Sequence, residues 1–293
     1  MDYYGVIGNP ITHSKSPTIH QRFAQLSHQA LLYDRIEFPL GEFDSKLKEL
    51  LALYPDSKLH ELPASESDVE HRVLKGCNVT IPFKQDAFEF ATEHSPRALL
   101  AQACNTLTFE NGKVFADNTD GLGLVRDIQV NANFSIKGKK ILLLGAGGAA
   151  AGALGPLIEA RPELITIANR TISKAEQLCT SHAQLAHENT VQLQSRSFSE
   201  VGRSYDLLIN ATASSLNGAA VPVMGDVLSS QALGYDMMYG PSAEPFLEWV
   251  KLHGGVPRDG LGMLVEQAAE AFLIWRGIRP ETEQVLLEIR EKV

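Results

Sequence analysis

The sequence has few cysteines, no excess of basic charge and no long apolar run, and each shortage excludes a class of protein. Its three cysteines, Cys77, Cys104 and Cys179, lack C-x-x-C spacing, which argues against a disulfide framework or a zinc site. The net charge is −9 and the basic residues are dispersed, so neither nucleic acid nor a membrane surface is an expected partner. No apolar stretch reaches the length of a membrane span. We therefore expect small-molecule ligands.

The absence of several motifs limits which reactions and which cellular location we expect for this protein. The nine histidines show no H-E-x-x-H or similar spacing, so we expect no metal. No G-x-S-x-G motif is present, which removes the usual hydrolase interpretation. The N-terminus, MDYYGVIGNPITHSKSP, lacks the basic and then apolar order of a signal peptide. Together with the unpaired cysteines, this predicts a cytoplasmic protein.

A glycine-rich turn in the middle of the chain predicts a dinucleotide site. Ile141–Leu144 is an apolar run typical of a buried parallel strand. It is followed by a G-x-G-x-x-A turn, Gly145–Ala150, and by the helix formers of 151–159. In such a turn the second glycine admits the pyrophosphate, and the helix N-terminus presents N–H groups to phosphate. The alternative is a glycine-rich turn that binds nothing.

The residues after the next predicted strand indicate which dinucleotide binds. Leu164–Ala168 is followed by Asn169, Arg170 and Thr171, where an NAD-binding unit usually has an acidic residue for the ribose 2′-OH. An arginine without a neighbouring acid favours a 2′-phosphate, because guanidinium donates two parallel hydrogen bonds to phosphate oxygens. The predicted cofactor is NADP.

The order of predicted elements indicates an α/β fold, and 293 residues favour two domains. Strands are predicted at Tyr3–Ile7, Leu31–Phe38, Ala103–Phe109, Val114–Ala116, Val191–Leu193, Tyr205–Asn210 and Leu233–Met237. Helices are predicted at Phe43–Leu53, Lys84–Ala91, Leu122–Val130, Ser173–Ala183 and Pro280–Lys292. The polar segment Tyr54–Val73 is interpreted as a loop. Residues 211–215 are small and polar, as expected at the ligand edge of a parallel sheet.

Hydroxyl and amine groups near predicted strand ends are candidates for substrate binding and catalysis. Ser14 and Ser16 follow the first strand. Ser16 also suits the N-cap of a helix with Pro17 at its first position, whereas Ser14 has no such structural role. Lys84 opens a helix, where the dipole disfavours a cation and lowers the cost of deprotonating it. An ordinary surface lysine is the alternative.

Polar residues in unexpected places add further candidates. Asn105 falls in a predicted strand beside the hairpin turn Asn111–Gly112. Residues 117–120, DNTD, offer four candidate caps where a helix needs one. Gln267 lies among apolar neighbours of a predicted helix, for which a hydrogen-bonded core glutamine is the ordinary alternative.

These features resemble the shikimate dehydrogenase family over nearly the whole chain. The shared blocks, in the same order, are GNPITHSKSPTIH, GCNVTIPFK, ACNTL, DNTDGLG, LLLGAGGAAAG, NRT, INAT, YDMMYGP and DGLGMLVEQAAEAF. The resemblance implies a substrate domain from residues 1–120, completed by helices in 261–293, and a doubly wound Rossmann NADP-binding domain in 121–260, with a cleft between them. It also implies a monomer or homodimer that reversibly reduces 3-dehydroshikimate to shikimate with NADPH, toward chorismate and the aromatic amino acids.

The family's functional positions carry over onto this sequence. Lys84 and Asp120 are the implied catalytic pair, since a lysine ammonium can stabilise a developing alkoxide and supply its proton. The implied substrate-binding residues are Ser14, Ser16, Thr80, Asn105, Tyr235 and Gln267. The implied cofactor-binding residues are Gly145, Ala146, Gly147, Gly148, Ala149, Asn169, Arg170, Thr171, Lys174, Thr212, Met237, Gly260 and Met263.

Two positions depart from the family pattern, and three alternatives stay open. Ala149–Ala151 replaces a frequent Ser or Arg, and Lys174 stands where Arg is common, which gives a point charge in place of a guanidinium fork. The nearest alternative is a quinate/shikimate dehydrogenase that uses NAD. A ligand-sensing homologue without activity would be expected to lack Lys84 or Asp120. A folate-linked dehydrogenase would not need the paired serines.

Overall fold

The computed structural model describes residues 1–55, 72–212 and 220–292. The chain divides into two units, unit 1 from Met1–Thr119 and Ala268–Ile289, and unit 2 from Asp120–Gln267 and Arg290–Val293. Most of the predicted 54–73 loop lies outside the described residues, as do positions 213–215 of the small polar stretch. Among the described helices, none combines the length and apolarity that a membrane crossing requires.

Unit 1 contains a six-stranded mixed sheet. Its strands are β1 Asp2–Gly8, β2 Leu31–Glu37, β3 Val73–Val79, β4 Glu93–His94, β5 Thr106–Glu110 and β6 Lys113–Asp117. They lie in the order β2-β1-β3-β5-β6-β4. β1 pairs in parallel with β2 and β3, whereas β5 runs antiparallel to β3 and β6. The helices of this part are α1 Ser16–Leu26, α2 Phe43–Leu53, α3 Lys84–Phe90 and α4 Pro96–Ala101.

Strand direction brings four chain segments to one edge of this sheet. Because β1 and β3 are parallel, both end at this edge, at Gly8 and Val79. The antiparallel β5 begins there at Thr106, and β6 ends there at Asp117, opposite Thr106. The residues just beyond these four strand ends therefore share one edge, which we call the unit 1 site edge.

A cluster of aromatic rings is buried in unit 1. His20 of α1 stacks on Tyr33 of β2 with 4.2 Å between ring centroids and also contacts Phe23, Phe272 and Trp275. Neither ring nitrogen of His20 has a hydrogen-bond partner among the residues that the structure describes. Burial lowers the pKa of His20 to about 3, because the charged imidazolium would lose its hydration. His20 is therefore a neutral core residue.

Unit 2 contains a six-stranded sheet in which all pairs are parallel. Its strands are β7 Lys140–Leu144, β8 Leu164–Ala168, β9 Gln192–Arg196, β10 Tyr205–Asn210, β11 Leu228–Asp236 and β12 Val256–Arg258. The order β12-β11-β10-β7-β8-β9 is that of a Rossmann fold, with its switch point between β7 and β10. The predicted α/β fold with a doubly wound Rossmann domain is confirmed.

The helices of unit 2 precede these strands or lie between them in the sequence. They are α5 Asp120–Arg126, α6 Gly148–Glu159, α7 Ile172–Ser181, α8 Ala183–Asn189 and α9 Glu244–Leu252. The last two helices of the chain, α10 Leu261–Arg276 and α11 Glu283–Arg290, each include residues of both units.

A buried ion pair connects the segment after α5 to β11 and β12. Residues 127–131 continue α5 as a π-helical turn. Asp127 in this turn is fully buried and accepts hydrogen bonds from Arg258 at 2.6 and 2.8 Å and from the Tyr235 hydroxyl at 2.7 Å. These bonds offset the cost of burying the carboxylate and fix the position of α5 within unit 2.

Most predicted elements are confirmed. Phe43–Leu53, Leu164–Ala168 and Tyr205–Asn210 have the predicted bounds. At the predicted hairpin turn, Asn111 and Gly112 both adopt positive φ, 52° and 74°, as a two-residue turn of this kind requires. Five elements were not predicted: β4, α4, α8, α9 and β12. All are short, and so few residues give little periodicity.

Three local predictions are wrong. Helix α1 begins at Ser16, with Lys15 at the cap position and no side-chain cap, so Ser16 is not the N-cap. Asn105 precedes β5 and does not lie within it. The helix predicted at Leu122–Val130 begins at Asp120 and becomes π-helical from Asp127.

We expect His20→Leu to make folding less sensitive to acid. The unfolded chain binds a proton at His20 near pH 6.5, whereas the folded chain binds it only near pH 3. The contribution of neutral His20 to stability is therefore complete above pH 6.5 and is lost as the pH falls toward 3. Between pH 7 and 4.5, the unfolding free energy of the wild type should fall by about 2–3 kcal/mol more than that of the variant.

Urea unfolding at both pH values measures this difference. The control is His187→Leu, since His187 lies exposed on α8. If the His20 and His187 variants showed the same pH dependence, the assignment of His20 as an acid-sensitive core residue would be wrong.

Candidate functional site

The predicted lysine lies at the unit 1 site edge. Lys84 is the first residue of α3, after Phe83 at the cap position, and no side chain caps this helix. The Lys84 carbonyl accepts a hydrogen bond from the backbone N–H of Cys104 at 2.8 Å, which holds the start of α3 next to the residues before β5. The Lys84 side chain is half-buried. A cation at this position stands at the electropositive end of the helix.

The loop between β1 and α1 brings both predicted serines to the same edge. The Ser16 backbone N–H donates to Ser14 Oγ at 3.3 Å, and the Arg35 guanidinium donates to the Ser14 carbonyl at 2.6 Å. Arg35 thus adds a positive charge that sequence reasoning missed. Thr80 directly follows β3, and its N–H donates to the Ile7 carbonyl at 2.9 Å, which aligns it with the end of β1.

Asn105 and Thr119 form a buried pair at this edge. Asn105 Nδ2 donates to Thr119 Oγ1 at 3.0 Å, and the Thr119 N–H donates to Asn105 Oδ1 at 2.8 Å. Asp117 accepts a hydrogen bond from Arg97 at 2.6 Å. Two of the four candidate caps in residues 117–120, Asp117 and Thr119, therefore have different partners, and Asp120, next after Thr119, begins α5.

Unit 2 places the predicted glycine turn at the carboxyl end of β7. Gly145 has a φ of 104°, and a Cβ there would lie 3.0 Å from the Ala211 carbonyl oxygen, just beyond β10. Ala146 packs against the core. Helix α6 begins at Gly148 without a side-chain cap, and Gly147–Ala149 is exposed. The first N–H groups of a helix have no acceptor within it, so this turn suits an anion.

Cationic side chains follow β8. Arg170, Thr171 and Lys174 are exposed, and Asn169 Nδ2 donates to the Thr171 carbonyl at 2.9 Å, which stabilises the turn. No acidic residue occurs between Asn169 and Lys174. Arg170 also lines a cavity of about 870 Å³ within unit 2. Two positive charges and a hydroxyl at one strand end suit a phosphate group.

A buried amide–carboxylate pair holds the carboxyl ends of β10 and β11. Asn210 Nδ2 donates to Asp236 Oδ2 at 2.9 Å, and the Thr212 hydroxyl donates to Asn210 Oδ1 at 2.7 Å. The Met237 N–H donates to the Asn210 carbonyl at 3.0 Å. A Cβ at Gly260 would lie 2.4 Å from the Met237 carbonyl oxygen, so only glycine fits. Thr212, Met237 and Gly260 therefore lie at one edge of the sheet.

The last two predicted residues lie in α10. Met263 packs in the core of unit 2, where Met237 is partly buried against the same cluster. Gln267 is buried, and its Nε2 group donates to the Leu264 carbonyl at 3.0 Å. A Cβ at Gly123 of α5 would lie 2.7 Å from Gln267 Cβ. The close approach of α5 to α10 therefore holds Gln267 in place.

Tyr235 is not available to a ligand, so its prediction as a substrate-binding residue is wrong. It lies in β11 with 0% exposure, and its hydroxyl donates to Asp127. Burial raises the pKa of Tyr235 well above its ordinary value. Tyr239, the second tyrosine of YDMMY, lies beyond the end of β11 and is half-buried. Its position past a strand end, where parallel sheets bind ligands, was the sequence signal for it.

Three family models match successive parts of the chain. The shikimate dehydrogenase substrate binding domain matches residues 6–107, and shikimate / quinate 5-dehydrogenase matches residues 128–225. The shikimate 5′-dehydrogenase C-terminal domain matches residues 260–286.

Relatives and solved structures are similar over the whole chain. The shikimate dehydrogenase (NADP(+)) of Acidovorax ebreus (strain TPSY) is 50% identical over 292 residues, which covers 100% of this chain and 97% of the relative. An Ael1 enzyme from Pseudomonas putida is 42% identical with a TM-score of 0.86, over 98% of both chains. Shikimate 5-dehydrogenase from Thermus thermophilus, in complex with NADP(H) and shikimate, is 27% identical with a TM-score of 0.81, over 100% of both chains. The chain belongs to the shikimate dehydrogenase family.

Proposed function

We propose that this chain is an NADP-dependent shikimate dehydrogenase. It catalyses the reversible reduction of 3-dehydroshikimate to shikimate with NADPH, toward chorismate and the aromatic amino acids. The observation that carries the proposal is Lys84 at the same sheet edge as Ser14, Ser16 and Asn105. The 50% sequence identity to an NADP(+) shikimate dehydrogenase, over the full length of this chain, supports the same substrate and cofactor.

We assign substrate binding to unit 1 and NADP binding to unit 2. The proposed boundaries follow the two units, with Asp120 opening unit 2 and Ala268 returning the chain to unit 1. In each unit, most of the assigned residues lie just beyond the end of a strand, which is where α/β sheets bind their ligands.

The residues of unit 2 fit NADP. The uncapped start of α6, with Gly145–Ala149, suits the pyrophosphate. Asn169, Arg170, Thr171 and Lys174 suit the adenosine 2′-phosphate. The cavity beside Arg170 has the size of an ordinary ligand pocket. Thr212, Met237 and Gly260 are the proposed contacts at the other strand ends, and Met263 is the proposed contact from α10. When bound, NADPH supplies the hydride that reduction of a carbonyl requires.

The residues of unit 1 fit a hydroxylated carboxylic acid. Ser14 and Ser16 supply two hydroxyls on one turn for the carboxylate, and Arg35 adds a positive charge against Ser14. Thr80 and Asn105 supply a hydroxyl and an amide for the ring hydroxyls. Gln267 and Tyr239, the latter in place of the buried Tyr235, are further proposed substrate-binding residues.

Lys84 performs the acid–base step in this proposal. As the carbonyl carbon is reduced, negative charge develops on its oxygen, and the Lys84 ammonium stabilises that charge and donates a proton to the oxygen. In the direction of shikimate oxidation, the Lys84 amine accepts the same proton. Asp120 begins α5 next to Thr119, and we assign it as the second catalytic residue, as the family resemblance implies.

We also propose that the protein works in the cytoplasm as a monomer or homodimer. Cys77, Cys104 and Cys179 are free thiols, which suits a reducing compartment. Light scattering of the purified protein measures the oligomeric state, and a trimer or larger assembly would contradict this part of the proposal.

A steady-state assay tests the function itself. We expect the purified chain to form NADPH from shikimate and NADP. Parallel reactions with quinate, and with NAD, should be much slower, because Arg170 and Lys174 favour the 2′-phosphate. No NADPH formation from shikimate would contradict the proposed function.

We expect Lys84→Ala to lower kcat by about 10²- to 10⁴-fold, because the variant lacks the proton donor to the substrate oxygen. The KM for shikimate should change much less, since the proposed binding groups remain. Lys113→Ala is the control, because Lys113 is an exposed lysine of unit 1 paired with Glu93. If Lys84→Ala turned over at the control's rate, the proton donor would be another residue.

We expect Arg170→Ala to raise the KM for NADP by roughly 10- to 100-fold, because a charged hydrogen-bond partner of the 2′-phosphate is lost. The KM for NAD should stay nearly unchanged, since NAD has no 2′-phosphate. Lys137→Ala is the control, since it removes one exposed positive charge near the start of β7, at the opposite edge of the sheet. An equal rise in the KM of both cofactors would contradict the assignment of Arg170.

A further inference from the structure

Arg35 carries a positive charge that no ion pair within the described part of unit 1 neutralises. Four of the six arginines in this unit do form ion pairs between described residues. These pairs are Arg22–Glu288, Arg97–Asp117, Arg276–Asp2 and Arg279–Glu270. The Arg35 guanidinium instead binds a neutral backbone carbonyl. Its charge is therefore available to attract an anion.

This charge lies at the unit 1 site edge. Arg35 belongs to β2, which pairs in parallel with β1, so both strands end at this edge. Its Nη2 and Nε groups donate to the Ser14 carbonyl at 2.6 and 3.1 Å. Glu37, two positions later at the end of β2, is exposed and forms no ion pair with Arg35. Lys15, directly after Ser14, adds a second cation to this loop.

The hydrogen bonds of Ser14 leave its hydroxyl proton for a ligand. Ser14 Oγ accepts from the Ser16 N–H at 3.3 Å, and the Ser14 N–H donates to the Ile11 carbonyl at 3.1 Å. With Arg35 on its carbonyl, Ser14 has partners for both backbone groups, and no described residue accepts its hydroxyl proton. A hydroxyl donor beside a cation suits a carboxylate, which accepts hydrogen bonds and is negatively charged.

We propose that Arg35 is a specificity-determining residue, whose positive charge favours a substrate that carries a carboxylate at Ser14. The guanidinium binds the carbonyl of Ser14 and the carboxylate would bind its hydroxyl. Their separation is then comparable to the screening length of about 8 Å at physiological ionic strength. Because Arg35 is exposed, water weakens this attraction without abolishing it. The inference rests on the proposed function, because it requires that Ser14 binds the shikimate carboxylate.

Two substitutions separate the charge of Arg35 from its hydrogen bond to Ser14. Arg35→Gln keeps an N–H donor for the Ser14 carbonyl but has no charge, whereas Arg35→Lys keeps the charge and loses the planar fork. We expect Arg35→Gln to raise the KM for shikimate about five- to tenfold, with kcat and the KM for NADP nearly unchanged. Arg35→Lys should keep the KM for shikimate within about threefold of the wild type.

The dependence on salt gives a readout that a purely structural role of Arg35 would not change. Raising sodium chloride from about 0.05 to about 0.5 M screens the attraction between the guanidinium and the carboxylate. The KM for shikimate should therefore rise more steeply with salt in the wild type than in Arg35→Gln, so that the two values approach each other at high salt.

Arg72→Gln is the matched control. Arg72 is also exposed, but it lies just before β3 begins, at the edge of the sheet opposite the unit 1 site edge. The control loses the same charge and should keep both KM values within about twofold of the wild type. The inference is overturned if Arg35→Gln and Arg72→Gln have equal KM values for shikimate. Equal salt dependence in the wild type and Arg35→Gln, or a KM in Arg35→Lys as high as in Arg35→Gln, would also overturn it.

The wild type is assayed with shikimate before any variant. A wild type that does not oxidise shikimate contradicts the proposed function. A normal wild type with an unaffected Arg35→Gln variant contradicts only the role of Arg35.

Discussion

Backbone hydrogen bonds just beyond the strand ends determine where the functional groups of unit 1 lie. The Thr80 N–H donates to the Ile7 carbonyl at 2.9 Å, the Val79 N–H to the Asn105 carbonyl at 2.9 Å, and the Asn105 N–H to the Asp117 carbonyl at 3.1 Å. These bonds continue the strand pairing past the strands themselves. A slip of one residue would turn every side chain to the opposite face of the sheet. The geometry of the candidate substrate site is therefore a consequence of strand register.

In unit 2, strand register likewise determines where the candidate ligand-binding residues lie, here in an all-parallel sheet. Its strands all point one way, so the turns after β7, β8, β10 and β11 lie at one edge. At the switch point, Gly145 after β7 lies next to Ala211 after β10, and the buried pair of Asn210 and Asp236 holds the next two strand ends. The proposed cofactor residues are thus held by backbone packing and by polar groups that do not themselves bind the cofactor.

In both units, buried polar side chains form hydrogen bonds with specific partners. In unit 2, Asp127 binds Arg258 and Tyr235, and in unit 1, Tyr33 binds Asn78. Such groups add little net stability compared with apolar packing, but each leaves a costly unpaired atom if its partner is removed. They therefore select one arrangement of the side chains, which an active site requires and a purely apolar core does not provide. Among the described residues of the aromatic cluster in unit 1, His20 is the exception, because neither of its ring nitrogens has a hydrogen-bond partner.

The sequence by itself determined the α/β class, the bounds of elements such as Phe43–Leu53 and Leu164–Ala168, and the glycine turn with Arg170 after the next strand. These depend on apolar spacing and on turn residues, which are properties of neighbouring positions. Only the tertiary structure decided that Ser16 does not cap its helix, that Tyr235 is a core residue while Tyr239 lies past the strand end, and that Arg35 binds the Ser14 carbonyl. The physical reason is that burial and hydrogen-bond partners come from distant positions, as Tyr235 and Asp127, 108 residues apart, illustrate.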